Sequence, residues 1–252
     1  MGCVATTRLG RPSPVTDILR IERAAVRAVP ATEVVTIDNW QVAIGRGQLH
    51  RTNSVTTFGI VPWDALAAIE RVERRYRARG RTASFRLTEL DSELDDLLFA
   101  RGYERSNEVV VMSRAVTAEA RRAPEVDLLS AATPSWLTDL EVMGGYTDMR
   151  VSEIGEGLSS LTLPHRAFRI PERAVGLAVA DEDTLGLFDI AVHPDSRRAG
   201  YGRAISETML AWGYEQGSAL AYLQVLATNE PAVDMYRSMG FGEAYRYWYR
   251  DR

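Results

Sequence analysis

The chain has no lysine. All thirty of its basic residues are arginine, so it offers no side-chain amine of its own to an acylating reagent. A single cysteine, Cys3, in 252 residues excludes an intramolecular disulfide and a metal site built on thiolates. The histidines His50, His165 and His193 stand far apart and share no motif, so no metal is expected. No apolar run approaches the ~18 residues of a membrane span, and no basic segment followed by an apolar one opens the chain. The expectation is a cytoplasmic protein with no membrane partner.

Hydrophobic residues make up 46% of the sequence, ample for packed cores, and the length suits two domains better than one. Charge is divided unevenly. Residues 1–122 carry 19 Arg against 15 Asp and Glu, net +4, and residues 123–252 carry 11 against 19, net −8, which sum to the overall −4. The acidic second half argues mildly for a cationic partner and against nucleic acid, with scattered solvated charge as the alternative.

Residues 1–15, with Pro12 and Pro14, read as a flexible leader. A helix capped by Thr16 or Asp17 runs to Pro30. Strands Val34–Ile44 and Leu49–Gly59 follow, with Gly45–Arg46–Gly47 as the hairpin turn between them. The spacing of Trp63, Leu66, Ile69, Val72 and Tyr76 predicts a helix over 63–79 with those side chains inward. A strand (82–88), a helix (92–101) and a strand (103–114) close this first half. Residues 115–123 read as a linker. In the second half the pattern predicts a helix over 134–143, an irregular stretch of weak periodicity over 144–164, and an antiparallel meander over 167–192.

The most informative stretch is Leu185–Gly202. An apolar strand ends in His193–Pro194–Asp195 and runs into Arg197-x-x-Gly200-x-Gly202, after which Ala204, Ile205, Thr208, Met209 and Trp212 recur at helical spacing. Strand, glycine loop and helix in that order turn backbone N–H groups and a helix N-terminus toward one point, a phosphate site. The loop lacks Gly-Lys-Ser/Thr and is not Gly-x-Gly-x-x-Gly, so neither the Walker nor the dinucleotide type fits. It resembles the pyrophosphate loop of the GNAT (general control N-acetyltransferase-related) superfamily, Gln/Arg-x-x-Gly-x-Gly/Ala. Downstream, Asn229, Ala232, Tyr236, Gly240 and Phe241 are similar to that superfamily's Asn-x-x-Ala-x-x-x-Tyr…Gly-Phe signature. The C-terminal half is most similar to ribosomal-protein N-terminal alanine acetyltransferases.

The resemblance implies an α/β (α+β) chain of tandem GNAT-like domains, each a mixed, mostly antiparallel sheet flanked by helices. The element order repeats, and Leu97–Tyr103 echoes Asp234–Phe241. The first copy, over 16–114, has only Gly59–Pro62 where a loop would stand, so it reads as a degenerate domain without cofactor binding, with an unrelated α/β accessory domain as the alternative. The catalytic domain is expected over 124–252. By the same resemblance, acetyl-CoA is the co-substrate. It would be held by Ile190, Ala191 and Val192, by the loop residues Arg197, Arg198, Ala199, Gly200, Tyr201, Gly202 and Arg203, and by Asn229. Tyr236 corresponds to the tyrosine that protonates the leaving thiolate. Where the alanine acetyltransferases carry a glutamate base this chain has Gln224, which cannot accept a proton in that role but can hold a water or the substrate. Gly186 and Phe188 take the acceptor-facing positions of the preceding strand, and Asp189 reads as structural.

The implied reaction is transfer of acetyl to a primary amine, on a small molecule or a protein N-terminus, by a monomer or homodimer. Two alternatives stay open: a non-catalytic acyl-CoA-binding module, because the carboxylate is missing and one copy is degenerate, and transfer of another acyl chain or to a hydroxyl, because such a loop reads coenzyme A and not the acyl group.

Overall fold

The computed structural model describes residues 14–47, 49–130 and 132–252. Cys3 and most of the expected leader lie outside the described residues, whereas Pro14 and Val15 already form the first turn of helix α1 (Pro14–Ala28). The first half continues with β1 (Glu33–Ile37), β2 (Trp40–Ile44), β3 (Val55–Thr56), α2 (Ala65–Arg77), β4 (Ser84–Thr88), α3 (Ser92–Ala100) and β5 (Glu104–Ala115). The second comprises β6 (Asp127–Leu129), α4 (Pro134–Gly144), α5 (Asp148–Ser160), β7 (His165–Ile170), β8 (Ala174–Asp181), β9 (Thr184–Val192), α6 (Tyr201–Glu215), β10 (Leu220–Leu226), α7 (Glu230–Ser238) and β11 (Gly242–Asp251).

The eleven strands of the described residues join in one sheet, ordered β1-β2-β3-β4-β11-β5-β10-β9-β8-β7-β6. Apart from the short edge strand β6 the order is a palindrome centred between β11 and β5. Each half runs as an antiparallel meander to a parallel pair, β3 with β4 in one and β9 with β10 in the other. The last strand of each half then crosses over. β5 pairs with β10, β11 pairs with β4, and β5 and β11 pair antiparallel at the centre. The two strands are set up alike: α3 and α7 are each followed by a glycine in the left-handed region, Gly102 and Gly240, both at φ 85, which ends the helix and turns the chain into the strand.

Three layers of apolar side chains cover this sheet. Trp40, Phe85, Leu94 and Leu98 centre the core under α2 and α3, and Leu185, Ile205, Met209 and Phe241 the core under α6 and α7. The third is shared: Ile18, Ile21, Ala24 and Ala28 of α1 pack with Trp136 and Leu140 of α4 over Val175, Leu177, Val179 and Tyr245. The first helix of the chain therefore seals the second half, with Arg27 to Asp181 (2.7 Å) and Arg20 to Asp183 (2.6 Å) at its rim.

Several local expectations are corrected. The β1–β2 hairpin turns at Asp38–Asn39, both at positive φ (51 and 69), the combination a two-residue hairpin needs. Gly45 and Gly47 serve close approach instead. A Cβ on Gly45 would lie 2.5 Å from Glu153 Oε1, and one on Gly47 would also collide with that carboxylate. Trp63 lies outside α2 and is fully exposed, and Leu66 is half exposed, because Asp64 caps the helix by accepting from Ala67 N at 3.0 Å and this phase buries Ala65, Ala68, Ile69, Val72 and Tyr76. Much of 144–164 is regular: Thr147 caps α5, and Gly145 ends α4 at φ 61.

Candidate functional site

The site begins where β9 and β10 part. They pair in parallel only from Thr184–Leu220 to Leu187–Leu223. Beyond that β9 stays with β8 and β10 with β5. Asp189 sits in the left-handed region (φ 48) and the β8–β9 register slips there, a bulge that bends β9 away. The facing edges of Phe188–Val192 and Gln224–Leu226 are thus unpaired with each other. A cavity of about 630 Å³ opens between them, walled by both halves of the chain.

At one end of the notch β9 leads through a short turn, Pro194–Ser196, into Arg197, Arg198 (φ 62), Ala199 and Gly200 (φ 87), which is the N-cap of α6. A Cβ on Gly200 would meet open space, so glycine is required there for its dihedral alone. Gly202 is buried in the first helical turn, where a Cβ would stand 3.3 Å from Met235 Sδ. With no capping side chain, the first N–H groups of α6 are left to water or a ligand. Arg197 and Arg198 are exposed. Arg203 is held by Glu207 at 3.5 Å and Ser238 Oγ at 2.5 Å. Asn229 caps α7, accepting from Ala232 N at 3.4 Å, and lines the cavity.

Tyr236 is 7% exposed, lines the cavity, and packs edge-to-face on Phe241 at 5.8 Å. Burial pushes its hydroxyl up to about 12, with a hydrogen bond to Ser206 pulling the other way. Gln224 Oε1 accepts from Tyr247 Oη at 3.3 Å, and Gln224 Nε2 is buried without a partner. The Phe188 ring lies over Gly186, where a Cβ would collide with it, and meets Tyr222 edge-to-face at 6.0 Å. Gly186 is therefore covered and faces no acceptor. Asp189, which strand alternation turns away, lines the cavity through its bulge and lies 3.8 Å from Arg51. His193 stays in its turn, accepting from Asp195 N at 3.3 Å.

Residues 15–250 match the family described as probable histone acetyltransferase Rv0428c C-terminal. The chain belongs to this acetyltransferase family. Across 93% of its length it is 24% identical to the uncharacterized N-acetyltransferase YobR of Bacillus subtilis, covering 98% of that protein. A 71-residue stretch, 28% of the chain, is 44% identical to the ribosomal protein bS18 alanine N-acetyltransferase of Escherichia coli, spanning 47% of that enzyme. In fold it is similar to a tandem GNAT protein from the clavulanic acid biosynthesis pathway, at TM-score 0.65 and 10% identity over 98% of this chain and 90% of that one. The protein is a GNAT-type N-acetyltransferase with a tandem GNAT fold.

Several cavity residues of this acetyltransferase carry no signal in the sequence. Arg51 comes from a short turn (His50–Thr52) in the first half. Its guanidinium stands 5.4 Å from the Phe188 ring centre. His50 stacks on Tyr249 at 4.4 Å, with Asn107 Nδ2 3.1 Å from its Nδ1 and Asp251 3.6 Å from its Nε2. Tyr146 and Arg150 come from the start of the α5 region, and Tyr247 and Tyr249 from β11. The alternation of β11 offered a hint, since Tyr245, Tyr247 and Tyr249 share one face.

The first GNAT half has a counterpart of this site, and it is plugged. The spacing that relates Gly102 to Gly240 also relates Val111 to Tyr249. Gln224 lies opposite Val111 and Arg86 opposite Tyr249, so Arg86 stands in the place of Gln224. It pairs with Glu22 of α1 at 2.6 Å, both side chains almost fully buried. Tyr245 Oη donates to the same Glu22 carboxylate oxygen at 2.5 Å.

Proposed function

We propose that this acetyltransferase uses acetyl-CoA as donor and a primary amine, on a small molecule or a peptide N-terminus, as acceptor, at one site per chain. The observation that carries this reading is the alignment of the opened β9 edge with the uncapped start of α6. That edge supplies backbone groups for an extended amide-bearing chain. The α6 N-terminus, entered through Gly200 and flanked by Arg197 and Arg198, supplies positive potential for a pyrophosphate. Bound there, coenzyme A would present its acetyl thioester to the notch.

The roles of the side chains follow from their surroundings. Tyr236 keeps its proton at neutral pH, as an acid for the departing sulfur must. Gln224 supplies no base. Its Oε1 is committed to Tyr247, which turns the unpartnered Nε2 into a donor for a water or the acceptor. The plugged counterpart around Arg86 and Glu22, with its short β3 and no glycine loop, supports a single donor site.

Titration calorimetry with coenzyme A should give one site per chain, and Tyr236→Phe should lower turnover by roughly 10²–10⁴ while leaving donor affinity in place. Two equivalent sites or none would overturn the donor assignment. Unchanged turnover would make Tyr236 a packing residue.

A further inference from the structure

Two arginines line the cavity without hydrogen-bond partners for their guanidinium groups among the described residues. Arg51 is 22% exposed, with Asp189 at 3.8 Å as its one carboxylate neighbour. Arg150 lies over the Tyr146 ring, 3.7 Å from its centre, and its Nε is buried with no partner. Elsewhere a buried Nε is also unmet on Arg75, Arg86 and Arg169, but each of those arginines faces a carboxylate within 4 Å, at Glu33, Glu22 and Asp139, and other inward-turned arginines carry several hydrogen bonds. Arg250 donates three hydrogen bonds to Asp95 and Tyr103, and Arg101 two to Glu73. Donors at such a partly buried site are costly to leave unmet and are left to water or a ligand.

The pair is also held in place. Glu153 of α5 accepts from Thr52 Oγ1 at 2.5 Å and from Leu49 N at 3.2 Å, which fastens the turn bearing Arg51 to the helix bearing Arg150. The remaining ionisable groups of the cavity wall, apart from its tyrosines, are His50, engaged by Asn107 and Asp251, and Asp189. Two permanent cations therefore face one carboxylate, opposite in sense to the acidic average of the second half.

We propose that Arg51 and Arg150 form a clamp for an anionic group on the acceptor, so that the substrate is a small amine bearing a carboxylate or phosphate. The inference rests on the transferase reading above. Guanidinium groups bind both anions with paired, charge-assisted hydrogen bonds. Each such bond at a desolvated site corresponds to roughly a 10- to 100-fold effect.

The test measures kcat/KM for matched amines with the full chain and acetyl-CoA: β-alanine against β-alaninamide, and O-phosphoethanolamine against ethanolamine. At least one anionic member should exceed its neutral partner by roughly 10-fold or more, and the pair that does so identifies carboxylate or phosphate. Arg150→Gln should shrink that preference, mainly through KM, while coenzyme A binds as before by calorimetry. Equal rates within both pairs, a preference for neutral amines, a preference untouched in both Arg150→Gln and Arg51→Gln, or no turnover of either anionic amine by donor-bound protein overturns the clamp. Absence of coenzyme A binding in the unaltered protein overturns the donor reading instead.

Discussion

Replacing Arg86 by methionine should be among the most damaging single changes in the protein. Arg86 and Glu22 are 2.6 Å apart with side chains 3% and 2% exposed. Removing one partner of such a pair strands the other charge, at a cost of ~3–5 kcal/mol. For a chain of this size that corresponds to roughly 6–20 °C in Tm. Burial already raises the Glu22 carboxyl above its usual range, against the pull of Arg86 and of Tyr245. Without Arg86 it rises further. The folded state then holds a proton that the unfolded state releases, so stability falls as pH climbs from the unfolded carboxyl value toward the folded one. The deficit of Arg86→Met should be smallest near pH ~5 and larger near pH ~7. A Glu22→Leu/Arg86→Met double variant removes both charges and should recover most of the loss, short of ~1 kcal/mol for the orphaned Tyr245 hydroxyl. The Arg86 guanidinium also covers the Tyr247 ring at 4.0 Å, and Tyr247 holds Gln224, so the single variant should disturb the acceptor wall as well. Urea unfolding of the three proteins at both pH values measures this. A single variant within ~1 kcal/mol of the parent, or a deficit that shrinks as pH rises, would refute the reasoning.

Gly200→Ala should cost ~1–2 kcal/mol through its φ of 87 and weaken coenzyme A, while Gly202→Ala, whose Cβ meets the flexible Met235, should cost less; equal melting temperatures for Gly200→Ala and the parent would contradict this. Gln224→Glu keeps an acceptor for Tyr247 and adds a base, so the pH–rate profile should show turnover preserved or raised near neutrality, and an inactive variant with normal donor binding would instead assign acceptor recognition to the amide. Residues 124–252 expressed alone lack β5, which pairs with both β10 and β11, and lack α1 over the shared core. That fragment should fail to give a folded monomer by circular dichroism, and a soluble fragment with a cooperative melt would show the central exchange to be dispensable.

The parts of this protein that were legible in the sequence are those fixed over a few neighbouring residues. A glycine at positive φ, a helical stripe after it and a cap such as Asn229 are local demands, so the Arg197–Gly202 loop, α6, α7 and the repeated helix–glycine–strand phrases could be read directly. Local cues also misled where another part of the chain set the requirement. Gly45 and Gly47 look like a hairpin turn and are small to admit Glu153, more than one hundred residues away. Asp189 was turned inward by a bulge that strand alternation does not encode. The tertiary structure alone decided the rest. Strand partners are chosen by packing across the whole chain, and β5 and β11, similar in pattern and entry, could each have closed its own half. That they cross over places Tyr247, Tyr249 and the plugged Arg86 beside the notch, and the fastening of the His50–Thr52 turn to α5 places Arg51 and Arg150 within it. No spacing in the sequence encodes those distances, because the contacts that set them join residues from opposite halves.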